Sequence, residues 1–283
     1  MINLLLDGKV LSNKIKDELT KKVKNFLVKP CLAVIQIGND EASNVYIKSK
    51  EKACNEIGIN FIHAKFEEDV DEQEVINKII ELNNDKYVNG ILLQLPIPKH
   101  FNQQKLLNLI DKNKDVDGLT DINVGLLFKG NNNLVPCTPL GIIKLLQEYN
   151  IEISGKHAVV VGKSNLVGKP LAMLLLQNGA TVTICHSKTV NLKKYTEQAD
   201  ILISAVGKKG LITEDMIKDN SIIIDVGINR IDGKLYGDVD FDNVIDKASY
   251  ITPVPGGVGP MTVAMLLNNV IKNYENNVEK NSR

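Results

Sequence analysis

Two apolar triplets constrain this chain most. Ile91-Leu92-Leu93 and Ile222-Ile223-Ile224 run unbroken, without the alternation of a strand that has one wet face. Continuous apolar strands are those covered on both sides, as in parallel sheets flanked by helices. The rest of the pattern agrees. β-Rich runs occupy 31–37, 59–65, 88–95, 157–161, 180–185, 201–206, 221–226 and 249–251. Helical stretches fill most of the intervals, at 12–26, 42–57, 72–83, 139–149, 167–177 and 261–274. Strand–helix alternation of this kind predicts an α/β fold with parallel sheets.

A chain of 283 residues is long enough for about two domains. The boundary falls near 134–139. A polar cluster, Lys129-Gly130-Asn131-Asn132-Asn133, precedes it, and Pro139 can open a helix at its first position. A second βαβ series starts at His157. The expectation is an N-terminal α/β domain over 1–138, joined by a C-terminal helix of about 262–283. A Rossmann-type dinucleotide-binding domain follows over 139–261, with an interdomain cleft as the place for a small molecule.

Composition removes several classes of partner. Lys plus Arg is 34 and Asp plus Glu is 34, so no basic excess exists to neutralise nucleic-acid phosphates or an anionic membrane. No apolar run approaches the roughly 20 residues of a membrane span. The opening residues reach Asp7 without a basic region, which argues against a signal peptide and for the cytoplasm. Cys31, Cys54, Cys137 and Cys185 form no C-x-x-C pair and sit in or beside apolar segments, as buried reduced thiols do. His63, His100, His157 and His186 lack metal-ligand spacing, so no protein-bound metal is expected.

In the second domain, strand 157–161 runs into Gly162-Lys163-Ser164-Asn165-Leu166-Val167-Gly168-Lys169-Pro170 and then a helix. Against the G-x-G-x-x-G fingerprint, Ser164 stands at the second glycine and the third is displaced to Gly168. The placement is that of a dinucleotide turn, where a helix N-terminus offers N–H groups to an anion; an ordinary tight turn remains the alternative. After the next strand an NAD enzyme commonly places an acid for the ribose 2′-hydroxyl. This chain has Cys185-His186-Ser187-Lys188 instead. Ser187 can donate to a 2′-phosphate and Lys163 or Lys188 can neutralise it, which favours NADP over NAD.

The first domain carries a lysine on an apolar helix face. At about 100° per residue, Tyr46, Lys50, Ala53, Cys54 and Ile57 share a stripe opposite Lys48, Glu51, Lys52 and Asn55. Burial lowers a lysine pKa and lets it exchange protons near neutrality, unless it snorkels its head to water. Gln94 stands at the carboxyl end of a parallel strand, where α/β sites form, before Leu95-Pro96-Ile97-Pro98. In Lys114-Asp115-Val116-Asp117-Gly118, two carboxylates one residue apart can accept hydrogen bonds from a ligand's amino groups; a turn cap is the other reading of Asp117. A rigid loop, Thr252-Pro253-Val254-Pro255-Gly256-Gly257-Val258-Gly259-Pro260-Met261-Thr262, can bring backbone close to a flat ligand.

These segments together resemble the bifunctional methylenetetrahydrofolate dehydrogenase/cyclohydrolase family. The matching text is Tyr46-Ile47-Lys48-Ser49-Lys50, 94–98, 114–118, Pro136-Cys137-Thr138-Pro139, 162–170, Asp225-Val226-Gly227-Ile228-Asn229 and 253–262. It runs in order from about residue 4 to 271. The resemblance implies a folate-binding catalytic domain ahead of the NADP domain and two reactions in one-carbon metabolism. The first oxidises 5,10-methylenetetrahydrofolate to 5,10-methenyltetrahydrofolate with NADP⁺, and the second hydrolyses that product to 10-formyltetrahydrofolate. By the same resemblance Lys50 is the catalytic residue of hydrolysis, Gln94 assists it, Tyr46 packs on the folate and Asp117 holds the pterin. Leu95, Pro255, Gly256 and Gly259 join the substrate site. Thr138, Gly162, Lys163, Ser164, Val167, Ser187, Ala205, Val206, Gly207, Ile228 and Thr262 fall to the cofactor. A homodimer paired through the nucleotide domain is also implied. Family members often carry arginine where this chain has Lys163, a point charge without a bidentate fork. The competing readings are a dehydrogenase without cyclohydrolase activity and a non-catalytic folate- or nucleotide-binding regulator.

Overall fold

The computed structural model describes residues 4–131 and 133–281. The chain divides into two compact units, Met1–Asn13 with Thr138–Thr262, and Lys14–Cys137 with Val263–Arg283. Residues 4–13 therefore cluster with the second expected domain rather than the first. Strands in chain order are β1 (Leu4–Leu5), β2 (Cys31–Ile37), β3 (Asn60–Phe66), β4 (Gly90–Leu93), β5 (His157–Val161), β6 (Thr181–Cys185), β7 (Ile201–Ser204), β8 (Ile222–Asp225), β9 (Asn229–Ile231), β10 (Lys234–Tyr236) and β11 (Tyr250–Ile251).

The unit containing Lys14–Cys137 is built on a three-stranded parallel sheet, β3-β2-β4, with Leu32 opposite Gly90 and Cys31 opposite Asn60. Every residue of the central strand β2 is buried. Its Ala33 and Ile35 pack in one cluster with Val75, Ile79 and Leu82, the i, i+4, i+7 stripe of helix Glu72–Asn84. Burying each such Ile, Leu or Val contributes about 1.5–3 kcal/mol. Beside β4, the 114–116 segment adds a further bridge, in which Ile91 N–H donates to Lys114 O at 2.7 Å.

Helix Glu41–Ile57 starts where the Asp40 carboxylate accepts from the Ser43 N–H at 2.8 Å, an N-cap. It stops at Gly58, whose left-handed φ of 85° closes the last turn onto Cys54 O. Its buried residues are Ser43, Ile47, Ala53, Cys54 and Ile57. The stripe therefore runs through Ile47, and Tyr46, expected on it, is 42% exposed. Lys50 stays on the stripe, half-buried between Ile47 and Cys54.

The other unit holds a six-stranded sheet ordered β1-β11-β8-β7-β5-β6. All its pairings are parallel. β6 lies on one side of β5 and β7 on the other, so the winding reverses at β5, and ligands of such sheets sit outside the carboxyl ends at that point. The pairing of β1 with β11, residues 4–5 against 250–251, was not expected. Neither was the β9–β10 hairpin, nor the short helices Gln103–Leu109, Asp121–Phe128, Lys193–Thr196 and Phe241–Val244. The helix expected to open at Pro139 begins two residues earlier, at Cys137. Pro139 is still in the first turn, where no N–H is needed. Among the described residues no helix is long and apolar enough to cross a membrane.

Candidate active site

In the unit of the three-stranded sheet, Lys50 and Gln94 meet. The Lys50 Nζ donates to Gln94 Oε1 at 2.7 Å. Gln94 is nearly buried and is held from both ends: its N–H donates to Ile35 O, and its Nε2 donates to Leu95 O at 2.7 Å. That leaves Oε1 turned to the lysine. Burial pulls the Lys50 ammonium below its ordinary 10.5, and the nearby charge of Asp117 opposes the pull. Burial pushes the Asp117 carboxyl upward, with Lys50 opposing. Both groups are thus displaced toward their neutral forms, which is the condition for moving a proton between them and a substrate.

Sequence reasoning missed the group that completes this cluster. The Cys137 thiol donates to Val116 O at 3.3 Å, its backbone N–H donates to Asp117, and burial holds the thiol well above 9.0. Cys137 is therefore a donor rather than a nucleophile. Cys31 and Cys54 are likewise pushed up, to about 11 and about 12, by burial. All four cysteines are buried and free.

The 114–118 segment divides its labour differently from the expectation. Asp115 is no ligand acceptor: it is buried and accepts from Leu119 N–H, Thr120 N–H and Asn123 Nδ2 at 3.1, 2.8 and 2.8 Å. The turn-cap role weighed for Asp117 belongs to Asp115. Lys114 donates to the carbonyls of Leu82, Asn83 and Asp85 at the end of helix Glu72–Asn84. Only Asp117 remains for the site.

In the unit of the six-stranded sheet, the loop after β5 doubles back tightly. A Cβ on Gly168 would stand 2.0 Å from Gly162 O, so only glycine fits there. The expected offer of helix N-terminal N–H groups is not made by the first turn. Val167 N–H and Gly168 N–H donate to Ser164 Oγ at 3.1 and 3.4 Å, Lys169 N–H donates to Ser164 O, and Pro170 has no N–H. Ser164 thus caps helix Gly168–Gln177. Lys163 remains exposed. After β6, His186 N–H donates to Thr189 Oγ1 at 2.9 Å, a turn that presents Ser187 and Lys188 to solvent. Val206 after β7 and Ile228 after β8 are exposed apolar residues at the same carboxyl edge, 47% and 44% accessible. Ala205 and Gly207 flank Val206. The hydroxyls of Thr138 and Thr262 are 2.8 Å apart. Pro255, Gly256 and Gly259 also belong to this unit; Gly256 O accepts from Lys9 N–H at 2.9 Å.

A model of the tetrahydrofolate dehydrogenase/cyclohydrolase catalytic domain matches residues 6–117, and a model of the same family's NAD(P)-binding domain matches residues 136–278. The chain belongs to the tetrahydrofolate dehydrogenase/cyclohydrolase family. Bifunctional protein FolD of Campylobacter hominis is 52% identical over 280 residues, 98% of this chain and 99% of that one. The crystal structure of FolD from Campylobacter jejuni matches with a TM-score of 0.95 at 51% identity, over 96% and 99% of the two chains. That of the Trypanosoma brucei enzyme, complexed with NADP cofactor and inhibitor, matches at 0.94 and 35% identity, over 98% of each. Family membership makes the chain an enzyme and sets aside the non-catalytic regulator. The carboxyl edge of the six-stranded sheet fits the family's dinucleotide: a glycine-tightened loop, apolar residues on which a ring can lie, and exposed Lys163, Ser187 and Lys188 for phosphate.

Proposed function

We propose that the chain catalyses two successive reactions on one folate: oxidation of 5,10-methylenetetrahydrofolate with NADP⁺, then hydrolysis of 5,10-methenyltetrahydrofolate to 10-formyltetrahydrofolate. The carrying observation is the 2.7 Å contact of Lys50 with Gln94 beside Asp117. The oxidation needs no base, because nitrogen lone pairs on the folate expel the hydride. NADP⁺, when bound, supplies the hydride acceptor. Here the protein holds and orients. Thr138, Gly162, Lys163, Val167, Ser187, Ala205, Val206, Gly207, Ile228 and Thr262 line the cofactor's place, with Ser164 shaping the turn.

Hydrolysis does need proton handling. Water adds to the methenyl carbon and loses one proton to give a neutral hydroxyl adduct. As one carbon–nitrogen bond breaks, the hydroxyl loses its second proton to form the formyl C=O and the departing nitrogen takes a proton, so one proton is released overall. Lys50, its basicity lowered by burial, relays the nitrogen's proton, and Gln94 fixes its amine. Asp117 accepts from the pterin's amino groups and Tyr46, exposed one turn before Lys50, stacks on the folate, with Leu95 at the rim.

The enzyme works in the cytoplasm as a homodimer paired through the nucleotide unit, for which light scattering at twice the chain mass is the check. Its partners are one-carbon tetrahydrofolates, not nucleic acid or membrane. The decisive experiment assays both steps on purified protein with NADP⁺ and NAD⁺. Formation of NADPH followed by disappearance of the methenyl band supports the proposal. Oxidation with persistent methenyl product makes the enzyme a monofunctional dehydrogenase.

A further inference from the structure

We propose that Asp238 is a positioning residue of the dinucleotide site: its buried carboxylate shapes the loops after β7 and β8 that receive the nicotinamide half of the cofactor. This deepens the proposed function and rests on its assignment of the dinucleotide to this unit.

Five donors converge on Asp238, which is fully buried. Ser204 Oγ, Val206 N–H and Gly207 N–H donate to its Oδ2 at 3.0, 2.8 and 3.2 Å. Lys208 N–H and Asn229 Nδ2 donate to its Oδ1 at 2.7 and 3.3 Å. Three consecutive backbone N–H groups aimed at one point form a nest, a shape that ordinarily captures a free anion. Here the anion is the chain's own. The nest fixes the 206–208 turn and, through Asn229, the residue that follows Ile228. These are the two loops that carry the exposed Val206 and Ile228.

A second carboxylate locks the first in place. Asp225, at the end of β8, accepts from Gly227 N–H and Asp238 N–H at Oδ1 and from Val239 N–H at Oδ2, at 3.0, 2.9 and 2.9 Å. Gly227 is forced by this packing, since a Cβ there would stand 2.1 Å from Asp238 Oδ1. A continuous hydrogen-bonded path therefore joins the carboxyl end of β8 to the turn after β7.

The location assigns the half of the cofactor. In doubly wound sheets the dinucleotide straddles the point where winding reverses. Ser187 and Lys188 follow β6, on one side of β5, and suit a 2′-phosphorylated adenosine. β7 and β8 lie on the other side, so their loops face the nicotinamide half. A buried charge is costly unless its donors are all in place, and this one spends its donors on those loops.

Asp238→Asn tests the assignment. It keeps shape but turns an amide N–H₂ toward donors, opening the nest. NADPH binding is followed by ligand fluorescence and NADP⁺ by competition, with methenyltetrahydrofolate hydrolysis, which consumes no cofactor, measured in parallel. The expected result is a dissociation constant raised at least about tenfold, the effect of losing a single charged hydrogen bond, and well beyond any fall in hydrolysis. Ser204→Ala removes one donor with little disturbance and should weaken binding in the same direction by about two- to fivefold. It serves if Asp238→Asn does not fold. Asp200→Asn disturbs the opposite edge of the sheet, where Asp200 holds His157 N–H and Lys218, and should leave binding unchanged. Unchanged binding in both Asp238→Asn and Ser204→Ala, or a fall in binding matched by an equal fall in hydrolysis, overturns the proposal. Wild-type protein that binds neither NADPH nor NADP⁺ overturns instead the dinucleotide reading on which it rests.

Discussion

Replacing Lys50 by methionine separates the two reactions. The substitution keeps the length of the stem on the helix stripe and removes the amine. It loses the 2.7 Å bond to Gln94 Oε1, a charged hydrogen bond of about 1.5–3 kcal/mol. It also removes the cost of holding an ammonium where burial disfavours it. The two effects oppose each other, so folding stability should change by no more than about 2 kcal/mol. The effect on hydrolysis should be far larger. Loss of a general acid–base group costs on the order of 10²–10⁴ in rate, or about 2.7–5.5 kcal/mol in the barrier. NADPH formation should continue at least in part, because hydride departure needs no base. Followed at two wavelengths, the variant should produce NADPH while methenyltetrahydrofolate accumulates. In the wild type, hydrolysis should show a pH limb below 10.5, set by the lowered Lys50 pKa, and that limb should vanish in the variant. Hydrolysis of supplied methenyltetrahydrofolate at the wild-type rate would refute the reasoning and leave Lys50 a structural residue.

Three further outcomes follow from the same contacts. Ser187→Asp, at the exposed turn after β6, should repel a 2′-phosphate and reverse a preference for NADP⁺; equal kcat/KM for both cofactors in the wild type contradicts this. Lys114→Met strips three carbonyls at the end of helix Glu72–Asn84 of their donor and should cost about 2–4 kcal/mol, read as a lower urea midpoint. Burial raises Asp225 from 3.8 to about 6, so the folded state binds its proton more tightly than the unfolded chain. The stability this group contributes is full below 3.8 and is lost as pH rises through about 6, a decline of roughly 3 kcal/mol. Asp225→Asn should flatten that slope in urea titrations between pH 4 and 7.

What could be read without the structure follows a physical line. Strands β2 and β5 were legible to the residue, because a strand buried on both faces needs no partner to announce itself. Helix Glu41–Ile57 was legible to within one residue from its period. Helices Gln103–Leu109 and Asp121–Phe128 were not. They are only two turns long, and so short a segment shows little period. β1 has two residues, and its pairing partner lies near the other end of the sequence. Tyr46 was placed on the apolar stripe because, at about 100° per residue, it sits one turn before Lys50. Ile47 fills that position instead, and the ring turns outward. The Lys50–Gln94 contact was anticipated because Gln94 stands at the carboxyl end of a parallel strand, where α/β sites form, and because the family resemblance pairs it with Lys50.

The sharpest limit appears where the same three residues occur twice. Asp115-Val116-Asp117 and Asp238-Val239-Asp240 are identical in text, yet only the first drew notice as a candidate site. Each copy makes a single parallel β-bridge to a neighbouring segment, Asp115 with Ile91 and Val239 with Ile212. In both, the first aspartate is buried and satisfies backbone donors of a neighbouring loop. The second then takes whatever its side offers. Asp117 meets Lys50 and Cys137, whereas Asp240 accepts from Asn243 Nδ2 at 2.8 Å and starts helix Phe241–Val244. The chemistry of each carboxylate is decided by which loop folds over it, information that resides in residues far along the chain. Asn269 makes the point for the first copy: its amide donates to Val116 O at 2.8 Å and Val135 O at 3.0 Å. It thereby holds the backbone beside Asp117 from a helix more than a hundred residues later. A motif of two carboxylates thus holds a loop-organising acid and a second acid whose partner the fold supplies. Only the fold tells which second acid faces a lysine.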